Sequence, residues 1–113
     1  IIWKSIMFQV QKEAFKLTLK EKLDFEKDSF FSYLLLNSRA DLISKAYEIT
    51  LKTAIYNRLY DQLPKLTAKQ SDRLLLTDHI VDYIYLKKKN DLELQKGEIT
   101  SYSWNRVMKD LLF

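Results

Sequence analysis

An all-α fold follows from three features of the sequence. The chain has 113 residues but one glycine, Gly97, and one proline, Pro64. Average usage would give roughly 8 Gly and 6 Pro, and these residues punctuate sheets, tight turns and linkers. Apolar residues recur at helical spacing along most of the chain. Polar helix-start residues precede several of these runs. The reading is one compact bundle of five or six helices, 1–113, with a short β-hairpin near residues 15–25 as the alternative.

The N-terminal third is ambiguous in period. Phe8, Phe15, Leu19 and Leu23 recur at helical steps, whereas Phe15–Leu19 and Leu23–Phe25 alternate like strands. A hairpin would turn on Lys20-Glu21-Lys22, which contains no usual turn residue, so helix is preferred. A separate short helix is expected from Asp28 to Leu36. Residues 1–6 carry little weight; they read as a disordered stretch or one foreign to the native start, with Met7 as a candidate first residue.

The clearest helix is expected from Arg39 to Gln62. Ser38 and Asp41 form a capping pattern at its start. Ile43, Ala46, Tyr47, Leu51, Ala54, Ile55 and Leu59 define one apolar face. Pro64 accounts for its stop. Thr67 and Gln70 then mark a short helix from Ala68 to about Leu76. Thr77 and Asp78 offer a cap for the next, which carries Ile80, Val81 and Ile84. Gly97 is expected to end a helical continuation through Leu92 and Leu94. Trp104, Val107, Met108 and Leu111 form a terminal amphipathic helix starting near Thr100.

Composition excludes several chemistries. There is no cysteine, hence no disulfide and no thiolate metal site, which suits a cytoplasmic setting. No apolar run approaches the ~18 residues of a membrane span. Glycine-rich phosphate loops and glycine-dependent nucleophile elbows are ruled out. His79 is the only histidine, too little for a histidine metal cluster. The acid pairs Asp24/Asp28 and Asp78/Asp82 share helix faces but sit beside cations or a helix start, where acids are favoured without any function. No acid is followed by the x-Lys spacing of common metal-dependent nucleases. No catalytic, cofactor or metal residue is assigned.

Two binding readings are open. The first is a non-enzymatic protein-interaction module that meets a protein partner or pairs as a homodimer. Tyrosine-rich Tyr56-Asn57-Arg58-Leu59-Tyr60 is its best local candidate, through Tyr56, Arg58 and Tyr60. The second is a small nucleic-acid-binding protein, since the net charge is +4. Its candidates are Lys65, Lys69, Arg73, Lys87, Lys88 and Lys89. Lys87-Lys88-Lys89 also suits a solvated helix end. A helix-turn-helix over 67–89 is disfavoured, because Asp78 and Asp82 would face phosphates.

The stretch from Leu42 to Thr50 reads L-I-S-K-A-Y-E-I-T. It is followed downstream by Leu66-Thr67-Ala68-Lys69-Gln70 and Leu74-Leu75. Together these motifs, within residues 30–86, resemble a domain-of-unknown-function family of small proteins from mobile genetic elements of gut anaerobic bacteria. The chain departs from that pattern at Asn37-Ser38-Arg39-Ala40-Asp41, which lacks the family's prolines. The resemblance implies a small cytoplasmic helical accessory or anti-defence protein, and no catalytic residues. Ala46 would then be the small residue over which another helix passes.

Overall fold

The computed structural model describes the backbone of residues 2–112, and the side chains of residue 14 and residues 16–111. The order is α1 (Ile2–Leu35), α2 (Arg39–Ser44), α3 (Ala46–Gln62), a 3-10 turn (Leu63–Lys65), α4 (Ala68–Leu75), α5 (Ile80–Lys88), β1 (Leu94–Gln95), β2 (Glu98–Ile99) and α6 (Ser101–Leu112). The all-α class is therefore as expected.

The N-terminal third is one helix. α1 runs straight through 15–25, so the preferred helix forms there rather than the alternative hairpin, and no break sets off the separate helix expected at residues 28–36. The reason is in the residues: nothing from 2 to 35 is Gly or Pro, and a helix without breakers propagates at one hydrogen bond per residue. At 1.5 Å per residue α1 is about 51 Å long, which accounts for most of the 59 Å long axis of the molecule. Residues 2–6 fall within this helix. Their side chains, like those of Phe8 and Phe15, lie outside the described residues.

The expected 39–62 helix is interrupted. Ser38 accepts from the Asp41 N–H at 3.2 Å, as its position suggests. At Lys45 the backbone leaves the helical region, with φ −99° and ψ 9°, and α3 begins afresh. Pro64 lies in the 3-10 turn that closes α3. At α4 the capping box is complete: Gln70 N–H donates to Thr67 Oγ1 at 3.1 Å, and Thr67 N–H donates to Gln70 Oε1 at 3.0 Å.

The start of α5 departs from the sequence reading. Neither Thr77 nor Asp78 caps it. His79 occupies the cap position and its side chain makes no cap bond. Glu26, on α1, supplies the acceptors instead. Its two carboxylate oxygens receive the N–H groups of Ile80 at 3.0 Å and Val81 at 2.8 Å. A carboxylate at a helix N-terminus satisfies open donors and meets the positive end of the dipole.

Gly97 does not end a helix. It closes the β1–β2 hairpin, in which Leu94 pairs with Ile99 and Gln95 with Glu98. Lys96 (φ 55°) and Gly97 (φ 78°) are both left-handed, as a two-residue type I′ turn requires. The single glycine thus stands where the backbone needs one. Thr100 then starts α6, accepting from the Ser103 N–H at 3.3 Å.

The core gathers Leu19 and Leu23 of α1, Leu51, Ile55 and Leu59 of α3, Ile80 and Ile84 of α5, and Trp104, Val107 and Met108 of α6. The Trp104 indole N–H donates to Gln62 Oε1 at 2.7 Å, so its polar edge is satisfied inside. α4 packs on α1, and α5 packs on α3.

Candidate functional site

Two features stand out: a cleft beside the core and an apolar corner next to it. The cleft is lined from α1 by Phe25, Glu26, Ser29, Phe30, Tyr33 and Leu34. The α2–α3 segment adds Lys45, Glu48, Ile49, Lys52 and Tyr56. Asp78, His79 and Asp82 approach from the start of α5. Its volume is about 480 Å³, within the range of small-molecule sites. The α1 residues form one stripe because they recur three and four apart.

Lys52 is the charged centre of the wall. It is 9% exposed and pairs with both Glu48 and Asp82 at 2.8 Å. Its ammonium also lies 5.2 Å from the Phe30 ring centre and 5.1 Å from that of Tyr85. Burial opposes its charge, yet the bonds from Asp82 and Glu48 prevail and hold it above the ordinary lysine value. Lys45 stands at the other end of the stripe. Its Nζ donates to Tyr33 Oη at 3.1 Å and reaches Asn37 Oδ1 at 3.4 Å. The Tyr33 contact keeps the Lys45 ammonium above its ordinary value as well.

His79, Asp78, Asp82 and Ser29 all face the cleft, but among the described residues no hydrogen bond joins His79 to any of them. The arrangement is not a Ser-His-Asp relay. Asp82 is engaged by Lys52. The other expected acid pair is also engaged on one side, since Asp24 pairs with Lys20 at 3.1 Å and accepts the Tyr60 hydroxyl. These two bonds, the Tyr60 one foremost, hold Asp24 below the ordinary carboxylate value.

The residues expected to meet a partner are instead used inside the fold. Tyr56 is buried, 2% exposed, against Phe30. Arg58 donates through both Nε and Nη2 to the Ile99 carbonyl and through Nη2 to Ser101 Oγ, tying α3 to the hairpin. Tyr60 is held by Asp24. Of this pattern Tyr56 faces inward, while Arg58 and Tyr60 are half-buried where α1 and β2 meet α3.

The basic set is divided between elements. Lys65, Lys69 and Arg73 are exposed on the 3-10 turn and α4, while Lys87, Lys88 and Lys89 lie at the end of α5. Lys88 bonds Asp110 at 3.3 Å, and Lys89 lies over the Tyr85 ring. The 3-10 turn and α4 pack on α1, whereas α5 packs on α3.

The corner was half legible. The apolar face expected on 39–62 is real, but only its second half is buried. Leu51, Ala54, Ile55 and Leu59 enter the core, whereas Ile43 is 68% and Tyr47 60% exposed. Ala46 is exposed too, so no helix passes over it. Leu35 and Leu36, at the end of α1 and just before α2, are 86% and 85% exposed as well. α2 contributes no buried residue at all.

Five groups share a direction of titration, Lys45 among them. Lys52 is raised as described. Burial raises the Tyr56, Tyr60 and Tyr85 hydroxyls above their ordinary 10.0, helped at Tyr60 by its bond to Asp24. A raised value means the native state keeps a proton that the unfolded chain releases. This stabilisation is therefore complete below about pH 10 and is lost as pH rises through the folded values. The urea midpoint is expected to fall between pH 8 and pH 10.5; an unchanged midpoint would contradict these assignments.

Among the described residues no helix is long and apolar enough to cross a membrane. Comparison with protein-family models, curated proteins and solved structures gives no match.

Proposed function

We propose that this chain is a non-enzymatic protein-interaction module that acts in the cytoplasm by pairing through the corner formed by Leu35, Leu36, Ile43 and Tyr47. The observation that carries the reading is α2: a capped helix with no fully buried residue, flanked along the chain by exposed apolar side chains. Four large apolar side chains left exposed within thirteen residues of chain are what a partner would cover. The resemblance of the 42–50 and 66–75 motifs adds the setting, an accessory or anti-defence protein of a mobile element. The absence of cysteine suits a reducing compartment.

The occupant assigned to the corner is a second copy of the chain. Arg39 and Asp41 are both exposed on α2. Across a two-fold axis the Arg39 of each copy can face the Asp41 of the other, so the patch is complementary to itself in charge as well as in apolar surface.

Sedimentation equilibrium on the full chain tests this. Dimers are expected to build up as concentration rises. Leu36→Asp with Ile43→Asp is expected to abolish them without lowering the unfolding temperature, because both side chains are exposed. A wild-type chain that stays monomeric at the highest soluble concentration sinks the reading.

A further inference from the structure

The cleft carries a second activity that does not depend on the corner. Three lysines line it, and they differ in what already engages them. Lys22 donates to the carbonyl oxygens of Leu75 and Thr77. Lys52 is neutralised by two carboxylates. Lys45 has no carboxylate partner among the described residues; its contacts are the Tyr33 hydroxyl oxygen and the Asn37 side-chain oxygen.

The Lys45–Tyr33 contact has a consequence for hydrogen-bond supply. A lysine ammonium only donates, so the Tyr33 oxygen is the acceptor and the Tyr33 O–H proton is left to donate elsewhere. No protein acceptor takes it among the described residues. An ammonium and a phenol hydroxyl thus stand side by side as donors at one end of the cleft.

The surface leading away from them has an apolar strip beside the paired Lys52, Glu48 and Asp82. Phe30, Leu34 and Ile49 form that strip, with Phe25 at the rim, 76% exposed. From Leu34 back to Phe25 the α1 stripe covers about 14 Å of helix. Asp78 lines the cleft beyond it, while Asp82 is already paired with Lys52. Lys22, at that far end, already has its ammonium held by two carbonyls, so the donors left for an anionic head are Lys45 and Tyr33.

We propose that this cleft binds a medium-chain aliphatic carboxylate, with its carboxylate on Lys45 Nζ and Tyr33 Oη and its chain along Phe30, Leu34 and Ile49. Charge-assisted hydrogen bonds give the head its anchor, and covering Phe25 and the floor supplies the apolar gain. An aliphatic chain fits better than a peptide of the same length. Peptide amides laid on this floor would lose water without gaining partners.

The test is isothermal titration of the full chain with dodecanoate below its micelle threshold. Saturable one-to-one binding is expected. Lys45→Gln should weaken it roughly tenfold or more, and Tyr33→Phe by about threefold. Dodecyltrimethylammonium, with the same chain and the opposite charge, should bind at least about tenfold more weakly than the acid. Lys45 and Tyr33 are at the surface, so both variants should retain the wild-type unfolding midpoint and helical circular dichroism.

Ile49→Trp fills the floor and should remove binding; if that variant fails to fold, Lys45→Gln decides alone. Absence of saturable heat, equal affinity in wild type and Lys45→Gln, or equal affinity for the acid and the ammonium overturns the proposal. Phosphatidylglycerol vesicles separate a free acid from a lipid surface. Binding to vesicles without binding to dodecanoate overturns it too.

Discussion

Replacing Lys52 by alanine is expected to lower stability by about 2–4 kcal/mol. Three losses combine. The Glu48 and Asp82 carboxylates, each 2.8 Å from the ammonium, are left facing one another without their shared cation. The contacts of the charged head with Phe30 and Tyr85 disappear. The aliphatic stem, which is packed although the residue is charged, leaves a void. Lys52→Met keeps the stem and removes only the charge, so it isolates the electrostatic part and should cost roughly 1–2 kcal/mol. Adding Glu48→Gln and Asp82→Asn to Lys52→Met should recover most of that loss, because the damage comes from carboxylates deprived of their partner. Urea denaturation of the series measures it. If Lys52→Met matches wild type, the cluster does not stabilise the fold.

Glu26→Ala is expected to cost about 2–3 kcal/mol, roughly 10 °C in unfolding temperature for a domain of this size. Most caps come from the residue beside the helix. Here the acceptors come from a residue more than fifty positions away, so the same two bonds both satisfy the α5 start and fasten it to α1. Glu26→Gln retains one acceptor oxygen and loses the charge, and should cost about 1 kcal/mol. Asp78→Ala is the control. Its side chain caps nothing, so a change within about 0.5 kcal/mol is expected. Amide exchange gives the spatial readout: protection should fall first at Ile80 and Val81 in Glu26→Ala. A larger loss in Asp78→Ala than in Glu26→Ala would show that the cap lies where the sequence suggested.

The contrast between α4 and α5 shows how far local reading reaches. For α4, cap and partner are three residues apart, and Thr67 with Gln70 could be read directly. For α5 the sequence offered Thr77 and Asp78, two good capping residue types in the right place, and the fold used neither. Glu26 has no local mark that separates it from Glu21 or Glu13. Only the passage of α1 across the start of α5 makes it a cap. Period ambiguity explains the N-terminal third in the same way: short alternating runs such as Phe15–Leu19 are compatible with both structures, and the uninterrupted helix wins because nothing breaks it. The break at Lys45 is the opposite case. No Gly or Pro announces it, and the segment Ala40–Thr50 contains only residues that a helix tolerates.

The candidate site was legible in pieces. Glu48 and Lys52 are four apart, and their pairing follows from helical spacing. Asp82 joins them only because α5 packs on α3. Tyr33 and Lys45 lie on different helices and meet across the turn at Asn37–Ser38, which no periodicity encodes. The aromatic-basic run Tyr56–Tyr60 was visible, but spacing identifies a helix face without saying what covers it, and only the packing shows that Tyr56 is buried while Arg58 and Tyr60 are half-buried.

The sequence by itself determined the helical class, the caps at Ser38 and Thr67, the start of the last helix near Thr100, the stop at Pro64 and the exclusion of thiolate and glycine-loop chemistry. Each depends on interactions within a few residues or on what the side chains are made of. Tertiary structure alone decided the Glu26 cap, the burial of Tyr56 and half-burial of Arg58 and Tyr60, the cleft, and the exposure of Ile43 and Tyr47. Those outcomes depend on which faces meet when helices pack, a choice made by the summed burial of surfaces far apart in the chain.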